Sequence, residues 1–156
     1  MPDISSVIFS AFRLLPCEGL DKLYNLITDF DLDFSDNVHC HHMTLGFGSN
    51  VQQYHMNCLG RKGKIHFIRY MEDENIGCVQ ISETDARKWG CGNLFPHITV
   101  FTNNGVKPVE SNNLIRRFYE GENDIWSFEC PDAPPLLGIV DLFIKTPDGK
   151  AKWFLE

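Results

Sequence analysis

Two tetrapeptides, His42-Met43-Thr44-Leu45 and His97-Ile98-Thr99-Val100, constrain the fold of this chain more than anything else in it. Each alternates polar and apolar side chains, and along a strand successive side chains point to opposite faces. His42 therefore shares a face with Thr44, and His97 with Thr99, while Met43, Leu45, Ile98 and Val100 turn towards a core. Pro96 biases the chain ahead of His97 towards extended geometry. With six histidines and six threonines in 156 residues, about 0.2 His-x-Thr triplets are expected by chance, so two in matching strand contexts are unusual. Two such strands side by side make a cleft holding two imidazoles and two hydroxyls, a composition suited to handling phosphate.

The length fits one domain over residues 1–156, with a core large enough to need no staples. A content of 43% hydrophobic and 12% aromatic residues excludes a disordered chain. A net charge of −7 argues against broad binding to a polyanion such as duplex DNA, which depends on many Lys/Arg–phosphate contacts. A nucleotide or the tip of an RNA needs only a local basic spot. The six cysteines are scattered, and no two fall at common zinc-knuckle spacing, so free thiols in a reducing, soluble compartment are expected, cytoplasmic or nuclear. The amino-terminal run MPDISSVIFSAFRLLPC lacks a basic leader, and no later segment approaches a spanning helix, so no membrane partner is expected.

Taken in order, 7–12 reads as a strand, and Leu20, Leu23, Ile27 and Phe30 recur at helical spacing. An acidic link from Asp31 to Asn37 leads into the first motif strand, 38–48, whose glycines allow a close approach to a ligand or a sharp turn. A short helix is expected within 49–58. The densest basic run, Leu59 to Lys64, is either a solvated turn or a guard for an anionic substrate. Strands at 64–71 and 76–81 flank a Glu-Asp-Glu-Asn turn, and Ser82 to Asp85 reads as a reciprocal helix cap, with a short helix to Trp89. After the glycine-containing loop 90–93 comes the second motif strand, 93–102. A helix over 108–119 should turn Leu114, Ile115, Phe118 and Tyr119 inward, and strands at 125–130, 136–144 and 153–155 close the chain. The pattern is α+β, with one His-x-Thr in each half.

The cluster His39-Cys40-His41-His42 suggests two other chemistries. A histidine-triad nucleotide hydrolase needs His-x-His-x-His, and Met43 breaks that pattern. A zinc site from His39, His41 and a thiol at Cys40 or Cys58 would sit on the face that also carries Met43 and Leu45, which reads as buried. No metal or other cofactor is expected.

At the two tetrapeptides the chain resembles the two-histidine (2H) phosphoesterase superfamily, whose pattern is a pair of His-x-Thr/Ser motifs with apolar flanks. Through its second motif and the extension Gly105 to Leu114 it most resembles the cyclic phosphodiesterase domains of fungal and plant tRNA ligases, and more distantly the brain cyclic-nucleotide phosphodiesterase. The resemblance implies the bilobal 2H phosphoesterase (LigT-like) fold, two β-lobes related by a pseudo-twofold axis and flanked by helices. It implies metal-independent hydrolysis of a 2′,3′-cyclic phosphate at an RNA 3′ end or nucleotide, in RNA repair or processing, alongside an RNA ligase or kinase module. His42 and His97 would be the acid/base pair and Thr44 and Thr99 the donors to phosphate oxygens, since an imidazole titrates near neutrality and serves either proton transfer. Phe47, Trp89 and Phe101 are candidates to stack a base. Two alternatives stay open: a non-catalytic RNA-end or nucleotide-binding module, and a phosphodiesterase for 2′,5′-linked oligonucleotides.

Overall fold

The computed structural model describes residues 1–29 and 39–156. The acidic link, Val38 and the inward positions expected at Ile27 and Phe30 lie outside what is described. Nine strands appear among the described residues: β1 (Val7–Leu14), β2 (His42–Phe47), β3 (Lys62–Ile65), β4 (Phe67–Glu72), β5 (Ile76–Ile81), β6 (His97–Thr102), β7 (Trp126–Glu129), β8 (Leu136–Lys145) and β9 (Ala151–Trp153). The helices are α1 (Glu18–Asp29), α2 (Gln53–Asn57), α3 (Glu83–Lys88) and α4 (Ser111–Tyr119).

The strands form two antiparallel sheets, ordered β2-β1-β8-β3 with β9 added on β8, and β6-β5-β4-β7. Each motif strand is thus an edge of its own sheet, paired with the strand that precedes it in the chain. The bilobal α+β arrangement expected from the motifs is the one found.

One core lies between the lobes. Phe12, Met43, Leu45, Ile65 and Val140 from the first sheet meet Tyr70, Val79, Ile98 and Val100 from the second. These are the apolar halves of the alternating runs, so the polar halves of β2 and β6 are left facing outward. On α4, Leu114 and Ile115 are fully buried against Met71 and Cys78. Tyr119, expected inward, is 55% exposed, because its hydroxyl is drawn to Gln80 and Arg69.

Three local expectations are corrected. The alternating run from Lys64 to Met71 is not one strand: the chain leaves the first sheet after Ile65 and enters the second at Phe67. Periodicity cannot report this, since the alternation continues while the pairing partner changes. The crossover residue His66 is held by Asp85, whose carboxylate accepts from the His66 backbone N–H at 2.9 Å and meets its ring Nδ1 at 2.8 Å. Asp85 is therefore not half of a reciprocal cap, although Ser82 Oγ does accept the Asp85 N–H. Among the described residues the first motif strand begins at His42, after Cys40 turns the backbone with φ of 51°. Of its two glycines, Gly48 makes the turn (φ 58°), and Gly46 lies so close to the Asn50 carbonyl that a Cβ would fall 2.4 Å from it.

Trp89 sits against Phe12, ring centroids 5.0 Å apart, and over Gly63, where a Cβ would lie 2.1 Å from the indole ring. Gly63→Ala must displace a ring wedged in the core, and overpacking of this kind costs about 1–3 kcal/mol. A lower urea midpoint with unchanged slope is expected, and an unchanged midpoint would show that the indole has room to move.

Candidate active site

The two lobes are joined where the chain approaches the first motif. The His39 and Cys40 N–H groups donate to the carbonyls of Val100 and Thr99, each at 2.7 Å, and the His41 carbonyl accepts from the Leu14 N–H at 2.8 Å. Three consecutive residues thus attach first to β6 and then to β1, and the left-handed turn at Cys40 makes the switch. This fixes β2 beside β6 and opens both polar faces onto one cleft of about 520 Å³, within the usual range for small-ligand sites. His42, Thr44, His97 and Thr99 all line it.

The four side chains differ in what holds them. His97 is buried, and its Nδ1–H donates to the Phe95 carbonyl at 2.7 Å. A carbonyl can only accept, so the neutral ring presents an Nε2 lone pair on its other side. Burial lowers its pKa, and the bond to Phe95 partly offsets that. His42 is stacked between Phe9, at 5.0 Å, and His41, at 4.6 Å, with its Nδ1 2.6 Å from the His41 Nδ1. Burial, followed by the neighbouring charges His41, His97 and His39, drives its pKa down to about 3. Burial thus keeps both imidazoles neutral at neutral pH.

The hydroxyls are unequal too. Thr44 Oγ1 has no hydrogen-bond partner among the described residues, whereas Thr99 Oγ1 donates to the Pro108 carbonyl at 3.2 Å and is paired with Ser111 Oγ at 2.8 Å. Thr99 thereby ties the 107–112 segment to β6. The exposed Lys107 on that segment lines the cleft and makes no ion pair with a described residue, so it adds positive charge where an anion would sit.

Residues 38–144 match the family of fungal tRNA ligase phosphodiesterase domains. The chain belongs to that family. It is accordingly a phosphodiesterase, a hydrolase of the cyclic phosphodiesterase type, and the resemblance drawn from the two tetrapeptides is of the right kind. The fold is shared with a crystal structure of a fungal RNA kinase, at a TM-score of 0.61 and 12% identity, over 89% of this chain and 46% of that one. The chain thus spans about half the length of that structure. No curated protein matches it in sequence.

Of the aromatic candidates, only Phe47 lines the cleft; it is 62% exposed and stacked beyond Phe9. Trp89 and Phe101 do not line it. Trp89 fills the space over Gly63, and Phe101 is buried over Gly77, where a Cβ would come within 2.3 Å of its ring. Both are packing residues, because a strand glycine opposite a large ring reads in sequence the same as a glycine kept open for a ligand. His39 and His41 also differ from the expectation of a buried strand face, since both line the cleft and His41 is exposed. No group of three or more His, Cys, Asp or Glu among the described residues has metal-binding geometry.

Phe9, Asn93, Lys107 and Asn112 line the cleft without having been singled out in the sequence. Phe9 carried a signal in principle, since it lies opposite Phe47 across the β1–β2 pair, but finding it requires the register.

The lowered His42 pKa has a consequence for stability. Below its ordinary value of 6.5 the unfolded chain binds a proton that the folded ring refuses until about pH 3. The unfolded state then holds more protons, so stability falls as pH drops through that window. His42→Gln is expected to flatten the fall in urea midpoint between about pH 6.5 and pH 4, and equal slopes for parent and variant would show that the ring is not held neutral.

Proposed function

We propose that the domain opens a 2′,3′-cyclic phosphate at an RNA 3′ end by paired proton transfer between His42 and His97. The observation that carries this reading is that both motif histidines line one cleft, with two threonine hydroxyls and an exposed lysine beside them. Water attacks phosphorus, forming one P–O bond as the bond to a ribose oxygen breaks. One imidazole takes the proton from the water, and the other supplies a proton to the departing oxygen. The anionic phosphate, once bound, favours protonation of an imidazole that burial otherwise keeps neutral. The pair is therefore charged for the reaction by its own substrate.

Thr44 has its hydroxyl proton available for a non-bridging phosphate oxygen, where charge must be held as the transition state forms. Thr99 must first release the Pro108 carbonyl, so substrate binding and the position of the Lys107 segment are linked through it. The product is an RNA end carrying a phosphomonoester, the kind of end that an RNA ligase or kinase module handles next.

The test is turnover of a nucleoside 2′,3′-cyclic phosphate and of a short RNA ending in one, with chelator present. His42→Ala and His97→Ala are each expected to cost on the order of 10²–10⁴ in rate. Thr44→Val is expected to cost about 10²–10³ with an unchanged urea midpoint, since it breaks no bond within the fold. Binding without turnover by the parent, or either histidine variant at the parent rate, would overturn the reading.

A further inference from the structure

The sheet registers define a row of side chains running outward from each catalytic histidine. Residues directly opposite in an antiparallel pair share a face. In the first lobe His42 lies opposite Arg13, Arg13 opposite Ile139, and Ile139 opposite Lys62, with Lys64 beside Leu137 two residues on. Three strand intervals put Lys62 roughly 14 Å from His42. Along this row Arg13 and Ile139 are half-buried and Lys62 and Lys64 are exposed, whereas Phe12, Val140 and Ile65 on the opposite face are fully buried in the core. Arg13 uses its Nε for Asp141 at 2.9 Å, leaving its two terminal nitrogens without a hydrogen bond to any described residue. Neither Lys62 nor Lys64 makes an ion pair with a described residue, in a chain whose net charge is −7.

The second lobe has the equivalent row, and it is closed. There His97 lies opposite Gln80, Gln80 opposite Arg69, and Arg69 opposite Glu129. Arg69 is spent on Glu129 at 2.9 Å and on Tyr119, and Gln80 is bonded to the same tyrosine, so α4 covers the row and its far end is acidic.

From this contrast we infer that the open face of the first sheet, along His42, Arg13, Ile139 and Lys62, carries the single-stranded RNA that precedes the terminal phosphate. The occupant follows from charge and continuity: the row begins in the cleft, passes Arg13, which is anchored by Asp141 and lies 5.8 Å over the Trp153 ring, ends on two lysines without an ion pair to a described residue, and has a blocked counterpart across the lobes. The inference rests on the cyclic phosphodiesterase reading and sharpens it, making an oligoribonucleotide rather than a free nucleotide the preferred substrate.

The experiment compares kcat/KM for a tetraribonucleotide ending in a 2′,3′-cyclic phosphate with that for the corresponding mononucleotide, in the parent and in Lys62→Ala/Lys64→Ala. The parent should favour the oligomer, and the double variant should lower the oligomer-to-mononucleotide ratio on the order of tenfold. The salt dependence for the oligomer should weaken by about 0.7 in log–log slope per lost phosphate contact. Lys62→Arg/Lys64→Arg should restore the ratio. A ratio unmoved by loss of both charges would overturn the inference and leave the lysines as guards of an exposed strand edge. If the parent turns over neither substrate, the hydrolase reading fails on its own. Fluorescence anisotropy of the labelled tetranucleotide then decides the track: weaker binding by the double variant upholds it, and equal binding removes it.

Discussion

Everything in the site depends on three backbone hydrogen bonds at His39, Cys40 and His41. Two attach the chain to β6 and the third attaches it to β1. They reinforce the shared core in holding β2 and β6, edges of separate sheets, side by side. With them the polar halves of two alternating strands open onto the same space while their apolar halves close over one core. The positive φ at Cys40 is what allows consecutive residues to serve different sheets, and such a conformation is uncommon for a residue with a side chain. Cys40 itself is buried, with its thiol pushed up to about 12 by that burial, so it acts as packing rather than as a nucleophile.

The electrostatics of the cleft follow from the same crowding. Four histidines line it, and burial lowers the pKa of each, with repulsion from neighbouring histidines adding to the fall at His41 and His42. Histidines that resist protonation gain proton affinity once an anion lies beside them, which suits the proposed reaction with its one protonated and one neutral imidazole. Lys107 adds a positive charge, carried on a segment that Thr99 and Ser111 hold against β6. In the proposed mechanism, charge for binding and charge for proton transfer thus come from different residues.

Much of this was legible in the sequence, and the limits have physical causes. Period-two alternation put His42 with Thr44 and His97 with Thr99, and amphipathic spacing put Leu114 and Ile115 inside. Alternation says which face a residue takes but not which strand lies beside it. The change of sheet at His66, the aromatic neighbour Phe9 and the row from His42 to Lys62 all depend on pairing, so none could be read from one segment alone. Trp89 and Phe101 failed as stacking candidates for the same reason, because the glycines that receive their rings, Gly63 and Gly77, are distant in sequence. The His39-to-His42 cluster looked like a metal site or a buried strand face, and a single left-handed residue turned it into the junction between lobes.

Whether one anion is shared by both histidines can be measured without turnover. Nitrogen-15 NMR of the imidazole rings, followed while a nucleoside 2′-phosphate is added near pH 6, reports each ring separately. His42 and His97 are expected to respond with one common dissociation constant, at least one of them gaining a proton as the phosphate binds. A response confined to one ring, or two different constants, would contradict a common phosphate site.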